Sequence, residues 1–154
     1  MSVEVRRAVA ADLPALLHLY EQLADGLGSG LDAPPVSPAE AEAAFANLLS
    51  QPQRTLLTAT LDGAVAATAD LLVVTPNLTH EGRPWAIVEH VVVEHRARRR
   101  GVGRALMEDV TRRAREAGCY KLQLLSSRRR TQAHAFYQAL GFEASAQGFR
   151  IYLD

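Results

Sequence analysis

The stretch Val91–Met107 reads Val-Val-Val-Glu-His-Arg-Ala-Arg-Arg-Arg-Gly-Val-Gly-Arg-Ala-Leu-Met, and it constrains the fold more than any other part of the chain. An apolar run ends in a basic turn with two glycines, and a helical pattern follows at once, with Leu106, Val110, Ala114 and Ala117 on one face. Gly118 lies just beyond as its C-cap. A strand that hands over to a helix through glycines brings backbone N–H groups and the positive end of the helix dipole to one point. Arg98, Arg99, Arg100 and Arg104 surround Gly101, Val102 and Gly103, which is the profile of a diphosphate cradle. The nucleotide loops with the best-known spacing do not fit. A Walker loop needs Lys-Ser/Thr after its last glycine, where Arg104-Ala105 stand, and a dinucleotide fingerprint needs a third glycine, where Leu106 stands.

The remaining elements follow in order. Val3–Arg7 predicts a strand, and Leu13, Leu16, Leu17, Tyr20 and Leu23 fall at helical spacing. Asp25–Val36, rich in Gly and Pro, predicts a loop. Ser37-Pro38-Ala39-Glu40 is a capping box with Pro at the first helical position, so a second helix starts there and runs to about Ser50. Thr55–Leu61 and Ala64–Val74 are strands joined by Asp62-Gly63, the dipeptide of a type I′ hairpin. Trp85–Val93 predicts a strand buried on both faces. Tyr120–Leu125 predicts another strand, and Ala133, Phe136, Tyr137 and Leu140 line a short helix ended by Gly141. Phe142–Leu153 predicts a last hairpin. The order β-α-α-β-β-β-α-β-α-β-β implies an α/β (α+β) domain with a mixed, mostly antiparallel sheet of about six to seven strands and about four helices.

With 154 residues the chain has the length of one domain, residues 1–154, with one sizeable core. No apolar run approaches a membrane span, and charge interrupts the N-terminus before any signal-peptide core forms, so a cytoplasmic protein without a membrane partner is expected. The lone Cys119 excludes an internal disulfide and a cysteine-based metal cluster, and the histidines lack ligand spacing, so no metal is expected. Net charge is zero but uneven: residues 1–95 carry a formal −8 and residues 96–154 a formal +8. An anionic ligand therefore favours the second half and a cationic one the first. Nucleic acid is not the expected partner, because the arginines sit in one loop without aromatic interleaving.

Arg98-x-x-Gly101-x-Gly103 resembles the Q/R-x-x-G-x-G/A signature of the GNAT superfamily of acetyl-CoA-dependent N-acetyltransferases, where it follows the fourth strand and opens the third helix. Ala133-His134-Ala135-Phe136-Tyr137-Gln138-Ala139-Leu140-Gly141-Phe142 is similar to the family's A-x-x-F-Y-x-x-x-G-F segment. The likeness extends over essentially the whole chain. Ile87–Val93 and Gly118–Leu122 look most like the small-amine branch that includes glucosamine-6-phosphate N-acetyltransferase. One departure is Arg130, where many members have Asn, so no contact of that Asn is carried over.

The resemblance implies acetyl transfer from acetyl-CoA to a primary amine of a small molecule by direct attack. The alternatives are a protein N-terminal or lysine acetyltransferase, or a non-catalytic acetyl-CoA sensor. It implies cofactor binding by the backbone of Val91, Val92 and Val93 and by Arg98–Arg104, with the strand amides stabilising the oxyanion. Tyr137 is implied as the general acid on the leaving thiolate. Glu89, a carboxylate inside an apolar strand, is expected to be paired or functional, and the resemblance places it near the amine as base, directly or through water. His90 is the second candidate base; it points away from Glu89 in a regular strand, and a bulge, which the family has here, changes that. An alkylammonium near pKa 10.4 and an ordinary Glu near 4.3 differ by about 8 kcal/mol. Water must relay the proton, or the amine is less basic, or burial raises the carboxyl. A homodimer is expected, with Phe149, Ile151 and Tyr152 of the final hairpin as an apolar edge.

Overall fold

The computed structural model describes residues 1–27 and 36–153, and the chain divides into two compact units, Met1–Leu124 and Leu125–Asp154. The first unit is built on a five-stranded sheet in the order β1 (Val3–Arg7), β2 (Arg54–Leu61), β3 (Ala64–Val74), β4 (Trp85–Val93) and β5 (Leu122–Gln123). Strands β1 to β4 are antiparallel neighbours, and β5 runs parallel to β4. Helices α1 (Leu13–Leu27), α2 (Pro38–Ser50) and α3 (Val102–Glu116) complete it.

Local chemistry accounts for the boundaries. Asp62 (φ 51°) and Gly63 (φ 86°) both lie in the left-handed region, as a type I′ turn demands, and they join β2 to β3 without slack. Helix α2 starts at Pro38 because Ser37 Oγ accepts from the Glu40 N–H (3.3 Å) while Glu40 Oε2 accepts from the Ser37 N–H (3.1 Å). Helix α3 ends where Gly118 takes φ 82°.

The two faces of the sheet are covered differently. Leu56 and Val92 pack with Leu16 and Leu19 of α1 and Phe45 of α2 in one buried cluster. The opposite parity in β2 and β3, with Leu57, Ala59, Ala67 and Ala69 all buried, faces α3, whose Val102, Leu106, Met107, Val110 and Ala114 are buried in turn. Alanines on that face let the helix lie close, and large side chains on the helix fill the space.

Several expectations are corrected. The sheet has five strands rather than six or seven. The predicted strand Tyr120–Leu125 is reduced to Leu122–Gln123, the only residues that find ladder partners, in Ala86 and Ile87. No strand forms among the described residues of the Phe142–Leu153 tail, because its apolar alternation has no ladder to join. The predicted loop Asp25–Val36 begins late, since Asp25–Leu27 still belong to α1, and its residues 28–35 lie outside the described residues. Strand β4 is not buried on both faces: Ala86 and Val88 are buried, but Trp85, Ile87 and Glu89, on the α1–α2 side, are half-covered among the described residues. Among the described residues no helix is long and apolar enough to cross a membrane.

The second unit holds α4 (Thr131–Ala139), closed by Gly141 at φ 97°. Its core is aromatic, with Tyr137 tilted against Phe136 (centroids 5.4 Å) and edge-on to Phe142 (5.8 Å). Arg130 occupies the N-cap of α4 and makes no side-chain cap bond.

Candidate active site

The site candidates of the first unit lie along one continuous path, from the middle of β4 through a short turn into α3. Asp70 of β3 faces Glu89 and Thr68 faces Val92, so the single residue Ala69 spans both His90 and Val91. This is a β-bulge, and it is marked by His90 at φ 50°, a left-handed position that histidine tolerates better than most residues. His90 is exposed, with its ring edge-on to Tyr20 of α1 (centroids 5.8 Å, 66°). Glu89 is half-buried and makes no salt bridge among the described residues, so it is not the enclosed, paired carboxylate that an apolar strand suggested.

Among the described residues β4 has no strand partner on its β5 side beyond Ile87, since β5 meets it at Ala86 and Ile87. On the other side β4 stays paired with β3 as far as Val93. On the β5 side the backbone of Val91, Val92 and Val93 has no ladder partner among the described residues, so its main-chain groups can serve a ligand.

The turn that follows is held tightly. Glu94 N–H donates to the Ala66 carbonyl (2.7 Å), and the Glu94 carboxylate accepts from the Arg96 N–H (2.8 Å). Arg98 Nε reaches the Val93 carbonyl (3.3 Å), and Ala97 is buried beneath the turn. Arg98, Arg99 and Arg100 are exposed. Gly101 takes φ 81° as the N-cap of α3, and a Cβ built there would meet nothing within 4 Å, so glycine is required by backbone conformation and the space above it is open. The first bond of α3 joins the Ala105 N–H to the Gly101 carbonyl (3.0 Å), which leaves Val102, Gly103 and Arg104 N–H without intrahelical acceptors. Three free amides, the helix dipole and exposed guanidinium groups suit a diphosphate. Arg104 is only loosely engaged, 3.8 Å from Glu108.

Tyr137 belongs to the second unit. Burial pushes its phenol pKa above the usual value, with the Arg130 charge opposing, so the hydroxyl keeps its proton at neutral pH. The Cys119 thiol is likewise pushed up by burial, which disfavours the thiolate a nucleophile needs.

Three residues near this path are absent from the sequence-based set. Asp70, directly opposite Glu89, is only 2% exposed and is gripped by Arg54 through Nε (3.0 Å to each oxygen) and Nη2 (2.5 Å). Its signal was the same as that of Glu89, a carboxylate in an apolar strand. Tyr20 is held above its usual pKa by burial first and by the Asp70 charge second. Gln22 of α1 reaches the turn after β4. Neither Tyr20 nor Gln22 had a sequence signal, because each sits within an ordinary amphipathic helix.

A bulged strand that runs through a basic turn into a helix N-terminus with unpaired amides is an arrangement suited to a phosphorylated ligand. The chain belongs to the acetyltransferase (GNAT) family, whose sequence profile matches residues 9–142 and so spans both units. It is an acetyl-CoA-dependent N-acetyltransferase of that family. It is 31% identical over 156 residues to glucosamine 6-phosphate N-acetyltransferase of Trypanosoma brucei brucei, covering 98% of this chain and 96% of the relative. Among solved structures it is similar to an acetyltransferase-type protein of Agrobacterium tumefaciens strain C58, at 41% identity and TM-score 0.86 over 97% of this chain and 99% of the other. A protein of Bacillus halodurans C-125 described as a transcriptional regulator superposes with TM-score 0.85 at 28% identity, over 99% and 100% of the two chains.

Proposed function

We propose that the protein acetylates a primary amine of a small molecule by direct attack, with no covalent enzyme intermediate. The observation that carries this reading is the unbroken run from Glu89, through the bulge and Val91–Val93, to the left-handed Gly101 and the free amides of α3. The Trypanosoma relative, named for glucosamine 6-phosphate, supports a small amine as acceptor. Acetyl-CoA supplies the acetyl thioester and, at its far end, the phosphates. The amides of Val102, Gly103 and Arg104, with Arg98, Arg99 and Arg100, hold those phosphates. Backbone N–H groups of Val91–Val93 hold the pantetheine arm and stabilise the negative oxygen that develops as the amine nitrogen bonds to the carbonyl carbon. Glu89 receives the proton that this nitrogen sheds, directly or through water, and His90 is the second candidate for that role. Tyr137 gives its hydroxyl proton to the sulfur as the carbon–sulfur bond breaks, and solvent restores it. The tail residues Phe149 (87% exposed) and Ile151 (83% exposed) form the apolar surface of a homodimer.

An acceptor screen with thiol release as the readout tests the activity, and Tyr137→Phe tests the acid. The variant keeps the ring that packs on Phe136 and Phe142 and loses only the donor. Acetyl-CoA binding is expected to hold while kcat falls about 100- to 10,000-fold. A Phe variant within about threefold of wild-type kcat removes Tyr137 from the mechanism.

A further inference from the structure

Besides packing Leu16 and Leu19 against Val92, helix α1 meets β4 and its exit through two further side chains. Tyr20 meets His90 at the bulge, and Gln22 meets the turn that leads to the cradle. Gln22 Oε1 accepts from the His95 N–H at 2.9 Å, and Gln22 Nε2 lies 3.5 Å from Glu94 Oε1. The His95 N–H can only donate and so fixes Oε1 toward the turn, and Gln22 Nε2 also lies 3.0 Å from His18 Nε2. Among the described residues Gln22 is the only side chain of another element that hydrogen-bonds this turn.

The turn is a chain of dependent bonds. The Glu94 carboxylate that Gln22 touches also accepts from the Arg96 N–H, the Glu94 carbonyl accepts from the Ala97 N–H (2.9 Å), and the His95 carbonyl accepts from the Arg98 N–H (3.4 Å). Arg98 is the first residue of the cradle. Fixing His95 and Glu94 therefore fixes where Arg98 and the following left-handed residues, Arg99 (φ 62°) and Gly101, begin.

We infer that Gln22 is a positioning residue for the cofactor: it does not touch the phosphates, but it pre-sets the turn from which Arg98–Gly101 present to them. The inference rests on the acetyl-CoA site proposed above. Without Gln22 the His95 N–H loses its side-chain acceptor and the Glu94 carboxylate loses one contact, so the turn is less firmly pre-set, part of its ordering falls to the ligand, and affinity drops. The acetyl and amine ends of the reaction lie elsewhere and are untouched, which makes this a KM effect.

The test is calorimetric titration of acetyl-CoA into the full chain, together with steady-state rates on an amine found in the screen. Gln22→Ala is expected to raise Kd and KM for acetyl-CoA roughly three- to tenfold, the equivalent of one or two lost hydrogen bonds, with kcat unchanged. Gln22→Glu is expected to be at least as weak, because it sets two carboxylates side by side. The exchange Gln22→Glu/Glu94→Gln restores a donor to an acceptor across the same gap, and the acceptors for the His95 and Arg96 N–H groups survive. The double variant is expected to return to within about twofold of wild type. A Gln22→Ala Kd within 1.5-fold of wild type, a double variant no better than Gln22→Glu, or a loss that falls on kcat rather than KM would each overturn the inference. Wild type that fails to bind acetyl-CoA would instead remove the site reading itself, and this inference with it.

Discussion

Replacing Arg54 with methionine probes what holds the polar side of the sheet together. Asp70 sits 2% exposed on β3, and among the described residues its charge is met by Arg54 alone, through two contacts of 3.0 Å and one of 2.5 Å. Removing one partner of a buried pair costs about 3–5 kcal/mol, because the other charge is left without compensation. The Arg54 side chain is 28% exposed, so water softens part of that penalty, and about 2–4 kcal/mol is the expected loss. At roughly 2–4 °C per kcal/mol for a chain of this size, Tm falls by about 4–16 °C. Asp70→Leu alone leaves the guanidinium unpaired but closer to solvent, and is expected to cost less. Arg54→Met/Asp70→Leu removes both charges, and although leucine is bulkier than aspartate it is expected to be more stable than Arg54→Met by about 1 kcal/mol or more. Urea unfolding followed by far-UV circular dichroism at neutral pH gives all four values, with unchanged m-values as the check on two-state behaviour. An Arg54→Met variant within about 1 kcal/mol of wild type would refute the argument, and so would two single losses that simply add in the double variant.

Asp12 supplies a pH test. Its bonds from Arg6 (2.7 and 3.0 Å) hold its carboxyl below the usual value against the opposing effect of burial, and the Val9 N–H (2.8 Å) assists. A depressed folded pKa means that this stabilisation is complete above the ordinary value of about 3.8 and fades as pH falls through the folded value. Wild type should therefore exceed Asp12→Asn by roughly 1–3 kcal/mol at pH 6, and the gap should narrow below pH 4 in unfolding curves; a gap independent of pH contradicts it. Gly103→Val at the second position of α3 is expected to abolish most of the thermal shift given by acetyl-CoA while leaving the apo Tm within a few degrees, since valine is no worse than glycine in a helix. Light scattering at high micromolar concentration is expected to show a dimer that Phe149→Ser/Ile151→Ser weakens, and a monomeric wild type removes that proposal.

What could be read in the sequence was whatever a few adjacent residues decide by themselves. Asp62-Gly63, the Ser37–Glu40 box and the start of α3 at Val102 each depend on backbone conformations that their own residues select, and each stands where the pattern placed it. Most of the failures are matters of partnership. Phe142–Leu153 alternates like a strand but joins no ladder, and Tyr120–Leu125 keeps only the two residues that face Ala86 and Ile87. Arg54 meets Asp70 across 16 residues, and Gln22 meets His95 across 73, so both contacts exist only once register and helix placement are fixed.

The bulge at His90 joins the two kinds of information. In a regular strand Glu89 and Val92 would point to opposite faces. The extra residue opposite Ala69 puts both on the face of Asp70 and Thr68, where Val92 can enter the cluster of Leu16, Leu19 and Phe45. That is why the sequence can run Val91-Val92-Val93 directly after two polar residues. Before the bulge, the α1–α2 side of the strand is open enough for a half-exposed carboxylate. After it, the same side is sealed by α1, and the strand proceeds into the basic turn. One inserted residue thus separates a half-covered α1–α2 side that ends in Glu89 from a stretch anchored in the core, and places the change at the point where the amine and the thioester are proposed to meet.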